Sequence, residues 1–153
     1  MQAQPICQIG IVVRDIEAKV KAWAQVFGLP VPPITVTAPW EESHTAYRGQ
    51  PTAARAKLAF FKFGQLELEL IEPDEHPSTW RSFLVERGEG VHHVAFKVEE
   101  LASLAKELRA HHISLEQSGD YPGGCYAYFN ATSSLGLVLE LLQDFSEKGN
   151  QSK

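Results

Sequence analysis

Apolar and polar positions along this chain follow two rhythms, one of strands and one of helices, and the two take turns twice. Residues 7–13, CQIGIVV, are rich in β-branched side chains and read as a strand. Asp15 then stands where an N-cap belongs, and Ile16, Val20, Trp23 and Phe27 recur at helical spacing until Gly28 and Pro30 end the helix. A proline-rich, polar stretch runs from Pro30 to Ala54, with room for one short strand near 34–37; a connection of that length in a compact unit points to a functional loop. Lys57–Phe63 and Gln65–Ile71 are the next strands, broken at Gly64, and the second alternates as Gln65, Leu66, Glu67, Leu68, Glu69, Leu70. After Pro73, PSTWRSFLVERGEG predicts a short connector helix capped by Ser78 and ended by Gly88.

The order then restarts. VHHVAFKV reads as a strand, Glu100–His111 as a helix with Leu101, Leu104, Ala105 and Leu108 on one face, and ISLEQ, CYAYFN and LGLVLELL as strands. Laying Gln8–Ile16 on His93–Leu101 keeps most apolar, small and acidic classes and sets Gln8 opposite His93. Leu68-Glu69-Leu70-Ile71 likewise matches Leu139-Glu140-Leu141-Leu142. Gln8 to Glu69 spans 61 residues and His93 to Glu140 spans 47, and the 14-residue excess fits the long 30–54 stretch. The pattern predicts an α+β fold of two tandem βαβββ modules, about 6–73 and 91–145, with a connector helix at about 77–88. Together they form one domain over 1–153 with a curved mixed sheet.

Strand parity assigns faces within that sheet. Cys7, Ile9, Ile11 and Val13 lie on the face that meets the helix, leaving Gln8 and Gly10 on the other. Val94, Phe96 and Val98 face a helix while His93, Ala95 and Lys97 do not, and His92 falls on the helix side. Leu66, Leu68 and Leu70, and Leu137, Leu139 and Leu141, form apolar faces that turn Glu69 and Glu140 the other way. A pseudo-twofold would bring Gln8, Glu69, His93 and Glu140 to one concavity, with Gly10 and Ala95 leaving room above them. Two carboxylates, an imidazole and a carboxamide oxygen suit a divalent ion with open positions for water, and burying two carboxylates together favours a cation between them. The ion expected is Zn, Ni, Co, Mn or Mg.

Composition narrows the field. In 153 residues, 19 Asp and Glu against 14 Lys and Arg give a formal charge of −5, and no basic run offers a phosphate-neutralising stripe, so no nucleic-acid partner is expected. No apolar stretch approaches the ~20 residues of a membrane span, and MQAQPICQIG lacks the layout of a signal peptide; no membrane partner and a cytoplasmic location are expected. Cys7 and Cys125 lack metal or redox spacing and read as small core residues with free thiols.

The strings QIGIVV, LELELIEP, RGEGVHHVAFKV and GLVLELL resemble the vicinal oxygen chelate superfamily of glyoxalase I, methylmalonyl-CoA epimerase, extradiol dioxygenases and bleomycin-resistance proteins. The resemblance runs from about Gln8 to Phe145 and is closest to methylmalonyl-CoA epimerases from Glu69 to Phe96, with the motif GEGxHHxAF. It implies a glyoxalase-like half-barrel around one divalent metal, with the metal positions falling on Gln8, Glu69, His93 and Glu140. It further implies a metal-dependent isomerase or epimerase moving a proton α to a carbonyl, with Glu140 as base and Glu69 as its opposite acid. The alternatives are a lactoylglutathione lyase of the glyoxalase I type, or a non-catalytic small-molecule-binding protein of the same fold. Val12 and Pro73 occupy the positions where glyoxalase I holds glutathione, and Pro73 is an epimerase feature.

The partner expected is a small acid, thioester or hemithioacetal, methylmalonyl-CoA first among them, and a homodimer is expected by analogy. Lys57, on the strand where some epimerases carry a second acid, is a possible substrate contact or a strand-edge charge. Tyr126, Tyr128 and Asn130 alternate with Cys125, Ala127 and Phe129, and the tyrosines are taken as the set facing the concavity and touching substrate. PGG at 122–124 and the Trp40–Arg48 segment are lid candidates, with His44, Tyr47 and Arg48 as anion or ring contacts.

Overall fold

Strand β1 (Ile6–Val12) opens the chain in the computed structural model, which describes residues 5–145. Residues 1–4 of the stretch read for a signal peptide, and residues 146–153 of the expected domain, lie outside the described residues. Helix α1 (Ile16–Phe27) starts where Asp15 accepts a hydrogen bond from Ala18 N at 3.0 Å and stops at Gly28, whose φ of 64° is the left-handed C-cap conformation. Its buried stripe of Ile16, Val20 and Ala24 packs on Ala59, Phe61, Leu68 and Leu70. Those four come from β5 (Ala56–Phe63) and β6 (Leu66–Pro73), which pair as a hairpin.

Between α1 and that hairpin the 30–54 stretch holds more regular structure than its composition predicts: β2 (Thr35–Val36), α2 (Trp40–Ser43), β3 (Ala46–Tyr47) and β4 (Gln50–Pro51). β3 and β4 turn on Arg48 and Gly49, both at positive φ (49° and 76°), as a two-residue hairpin requires. Helix α3 (Thr79–Arg87), capped by Ser78 Oγ accepting from Arg81 N, leads to the second unit. That unit comprises β7 (Gly90–Lys97), α4 (Leu101–Ala110), β8 (Ser114–Tyr121), β9 (Gly124–Ala131), a short α5 (Thr132–Leu135) and β10 (Leu137–Asp144). The α4 face packs Leu108 and its neighbours on Ala127, Phe129, Leu139 and Leu141.

One mixed sheet carries ten strands among the described residues, in the order β2-β5-β6-β1-β7-β10-β9-β8-β3-β4. β1 and β7 run antiparallel at its centre, β6 lies parallel to β1 and β10 parallel to β7, so each unit repeats the other's pairing in a curled half-barrel. The repeat extends to the helix ends. Ile16 N donates to Glu72 Oε2 and Leu101 N to Gln143 Oε1, each from the first turn of a helix to a side chain at the end of the closing strand. Among the described residues, no helix is long and apolar enough to cross a membrane.

The long stretch breaks this symmetry. It leaves β2 at one edge of the sheet and reaches the other edge, where β3 pairs with β8 through Ala46↔Ser118 and Tyr47↔Gln117. Residues 37–45 thus cross the open mouth of the curled sheet. Tyr47 Oη to Ser82 Oγ (2.8 Å), His44 to Asp120 (3.0 Å), Arg48 to Glu116 (2.9 Å) and Thr52 Oγ1 donating to Pro77 O (2.8 Å) fasten the crossing.

Candidate metal centre

Strand register decides which polar side chains meet. Gly10 on β1 sits between Glu69 on β6 and His93 on β7, so those two side chains flank a residue with no side chain of its own. In the next row Gln8 sits between Glu67 and Ala95, and Ala95 pairs in turn with Glu140 on β10. Glycine is needed at position 10: a Cβ there would lie 1.9 Å from His93 Cε1.

Glu69, His93 and Glu140 converge. One ligand atom from each lies within 4.8 Å of the others, and all three residues are buried. His93 Nε2 is 2.9 Å from Glu140 Oε2 and 3.4 Å from Glu69 Oε2, yet neither contact has hydrogen-bond geometry; these three atoms are buried without a hydrogen-bond partner. Such orphaned groups are costly unless something charged lies between them. Ligands about 2.1 Å from one ion at right angles stand about 3.0 Å apart. The two separations from His93 lie near that value, and the two carboxylates and imidazole suit a divalent first-row ion or magnesium. Electrostatics point the same way. Burial pushes the Glu69 carboxyl up, and although burial alone would lower His93, Glu140 and Glu69 outweigh it and raise the imidazole to about 10. The two carboxylates thus favour a positive charge at this point.

The Gln8 carboxamide, unlike those three buried atoms, has a side-chain hydrogen-bond partner. It lines the same cavity, but its Nε2 donates to Glu67 Oε1 at 3.0 Å, since the parallel register sets it beside Glu67 rather than Glu69. The counterpart of Glu67 in the second unit is Val138, beside His93, so the pseudo-twofold fails at the position that would free Gln8.

The centre lies in the wall of a cavity of about 640 Å³, within the usual range for small-molecule sites. Tyr126 and Tyr128 line it, while Ala127 and Phe129 pack toward α4. Tyr128 is fully buried with its ring centroid 5.0 Å from that of His93, and burial holds its phenol well above the ordinary value. Trp80 of α3 closes one end and donates from Nε1 to Tyr128 Oη at 3.1 Å. Reading α3 as a mere connector misses this wall; a tryptophan two residues after the helix cap was the available signal. The crossing segment contributes Thr37, Ala38, Glu42, Ser43 and Thr45 to the lining.

Several expected contacts lie elsewhere. Lys57 shares its face with Ala59 and Phe61 against α1, pairs with Glu72 at 3.2 Å, and does not line the cavity; Leu58 and Phe60 on the same strand do. The reason is register: Lys57 is opposite Glu72, which serves the start of α1. His44, Tyr47 and Arg48 fasten the crossing segment, whereas Pro122-Gly123 is the tight turn of the β8–β9 hairpin, and its Pro122 does line the cavity. Cys7 and Cys125 are free and half-buried rather than core residues. His92, placed on the α4 side by parity, instead packs with Phe83 of α3 and Tyr128. A bulge moves it: Gly10 pairs with His93 and Ile11 with Val91, so His92 is the extra residue.

Comparison with known proteins agrees with this architecture. Residues 7–129 match the family described as Glyoxalase/Bleomycin resistance protein/Dioxygenase superfamily. The chain is 30% identical over 111 residues to the protein YqjC of Bacillus subtilis (strain 168), covering 69% of this chain and 79% of that one. Among solved structures it is similar to a hypothetical protein of Bacillus halodurans C-125, with a TM-score of 0.67, 20% identity and coverage of 97% and 100% of the two chains. It is also similar to methylmalonyl-CoA epimerase from Mycobacterium tuberculosis, with a TM-score of 0.60, 18% identity and coverage of 91% and 87%. A Streptomyces coelicolor methylmalonyl-CoA epimerase variant in complex with 2-nitronate-propionyl-CoA gives 0.64, 21%, and 95% and 98%. With its repeated strand pairing and its match over residues 7–129, the chain belongs to the glyoxalase/bleomycin resistance protein/dioxygenase superfamily.

Proposed function

We propose that this protein is a cytoplasmic metal-dependent isomerase or epimerase that moves a proton on the carbon next to a carbonyl, in the manner of methylmalonyl-CoA epimerase. The observation that carries the reading is the set of three buried, unpartnered ligand atoms on Glu69, His93 and Glu140 in the wall of a substrate-sized cavity. Gln8 is the fourth ligand candidate: with its Nε2 given to Glu67, its carboxamide oxygen is the atom left to offer. Glu69, His93, Glu140 and Gln8 would hold a divalent ion, which would supply Lewis-acid polarisation of a substrate carbonyl. Glu140 takes the α-proton, the C–H electron pair passing toward the carbonyl, and Glu69 from the other unit returns a proton to the opposite face. Tyr126 and Tyr128 hold the substrate and keep water from the reacting carbon.

The substrate class proposed is a small acid, thioester or hemithioacetal. Epimerase is favoured over the glyoxalase I type because Pro73 is an epimerase feature and the glutathione-holding position at Val12 is apolar. Membership of a homodimer follows from the same analogy. A second reading has its own support: besides the metal group, Glu42, Glu67, Asp120 and Asp144 line the cavity against Lys97 as its ammonium, a wall suited to sequestering a cationic small molecule without turnover.

Incubating the Ni-, Co-, Mn-, Mg- or Zn-loaded protein with acyl-CoAs and hemithioacetals in deuterated water separates the readings. Deuterium entering at the α-carbon, abolished by Glu140→Gln, supports the isomerase. No exchange with any candidate, together with tight binding of organic cations, establishes the sequestering protein. Absence of any stoichiometric ion overturns the metal-dependent reading.

A further inference from the structure

Behind the metal group lies a second buried histidine that the proposed chemistry does not use. His92 Nδ1 is 3.1 Å from His93 Nδ1, and its other nitrogen, Nε2, is 3.0 Å from Thr79 Oγ1. Consecutive strand residues ordinarily point to opposite faces and cannot touch in this way. Here the bulge at His92 turns both rings inward until their centroids are 5.3 Å apart with planes at 87°. A matching bulge stands one residue before Gln8, at Cys7, but there the thiol donates to Ala95 O at 3.4 Å and leaves Gln8 alone. The histidine contact is thus particular to the second unit.

We infer that His92 is a positioning residue that fixes the tautomer and ring orientation of His93, so that His93 presents an Nε2 lone pair to a divalent ion. The inference rests on the proposed metal site. Two imidazole nitrogens 3.1 Å apart need one hydrogen between them. With that hydrogen on His93 Nδ1, a neutral His93 has its lone pair on Nε2, beside Glu69 and Glu140. His92 then accepts at Nδ1, carries its own hydrogen on Nε2 and donates to Thr79 Oγ1. Thr79 is itself anchored at the start of α3, its N–H donating to Gln117 Oε1 at 2.9 Å. The opposite arrangement would put the hydrogen of neutral His93 on Nε2, where an ion must bind. Both rings are buried, so water does not substitute for the missing partner. Phe83 and Tyr128 hold the His92 ring edge-on at 5.3 and 5.4 Å, which keeps its nitrogens aimed along the chain of contacts.

The test compares His92→Phe, which keeps a flat ring but removes both nitrogens, with His92→Gln, which restores an acceptor and a donor. Zinc affinity is measured by competition with a chromophoric chelator, and the His93 tautomer by nitrogen-15 NMR of the zinc-loaded protein. The expected result is one ion per wild-type chain bound through His93 Nε2, affinity about 10–100-fold weaker in His92→Phe, and substantial recovery in His92→Gln. Wild-type affinity in a folded His92→Phe, or zinc on His93 Nδ1, overturns the inference while leaving the metal site intact. No zinc on the wild type overturns both. Should His92→Phe fail to fold, Thr79→Val removes the far acceptor, and unchanged zinc affinity in that variant overturns the inference equally.

Discussion

Gly10 and His93 face each other across the central β1–β7 seam, and the imidazole of His93 occupies the space a side chain on Gly10 would need. Gly10→Ala is therefore expected to displace the His93 ring. That ring is fully buried, so the strain is relieved only by local repacking, at about 1–3 kcal/mol of stability. Urea denaturation and a zinc titration check the two consequences separately; unchanged values in both would mean that the ring has another place to go.

An ion that binds only the folded chain stabilises it by mass action. At about a hundredfold excess over its dissociation constant the gain is about 2.7 kcal/mol, raising the unfolding midpoint of a chain this size by roughly 5–10 °C. Scanning calorimetry with and without the ion is expected to show that rise in the wild type. His93→Ala and Glu140→Gln are expected to lose it, because each removes one of the converging atoms. A rise of equal size in His93→Ala would place the ion elsewhere.

Trp80 couples the end wall of the cavity to Tyr128 and packs in one cluster with Val12, Ile71 and Leu84. Trp80→Ala is expected to cost about 3–5 kcal/mol, the value for emptying a buried aromatic site. Trp80→Phe keeps most of the packing and forfeits the Nε1 hydrogen bond, at about 1 kcal/mol. Equilibrium unfolding of the pair separates packing from hydrogen bonding.

The crossing segment is held by contacts of unequal worth. Tyr47 is nearly buried and its hydroxyl meets Ser82, whereas the side chain of Arg48 is 63% exposed beside Glu116. Tyr47→Phe is expected to cost about 1 kcal/mol and to speed proteolytic cleavage between residues 37 and 54, while Arg48→Ala costs less than about 1 kcal/mol and leaves cleavage unchanged. Faster cleavage in Arg48→Ala would show that solvent screening does not weaken that pair.

How far the site is legible in the chain depends on which neighbours matter. Glu69, His93 and Glu140 are readable because each sits at the same phase of a repeated strand, and the twofold of the repeat brings equal phases together. Gln8 shares that phase, but the hydrogen bond of its Nε2 is set by the residue laterally beside it, Glu67, which has no carboxylate counterpart in the second unit. Lys57, read either as a substrate contact or as a strand-edge charge, pairs with Glu72 across the hairpin, a neighbour that no local pattern names. His92 escapes parity altogether, since one unpaired residue in β7 resets which face follows.

The sequence by itself determined the elements, their duplication, the superfamily and the phase of the three converging side chains, because hydrophobic period and capping act over a few residues and a repeat copies them. Tertiary structure decided the rest: the lateral register that sends Gln8 to Glu67, the bulge that sets His92 behind His93, and the path of residues 37–45 across the mouth of the sheet. These depend on contacts between segments tens of residues apart. A one-residue shift in such a contact reverses every side chain beyond it, and no local pattern along the chain records that shift.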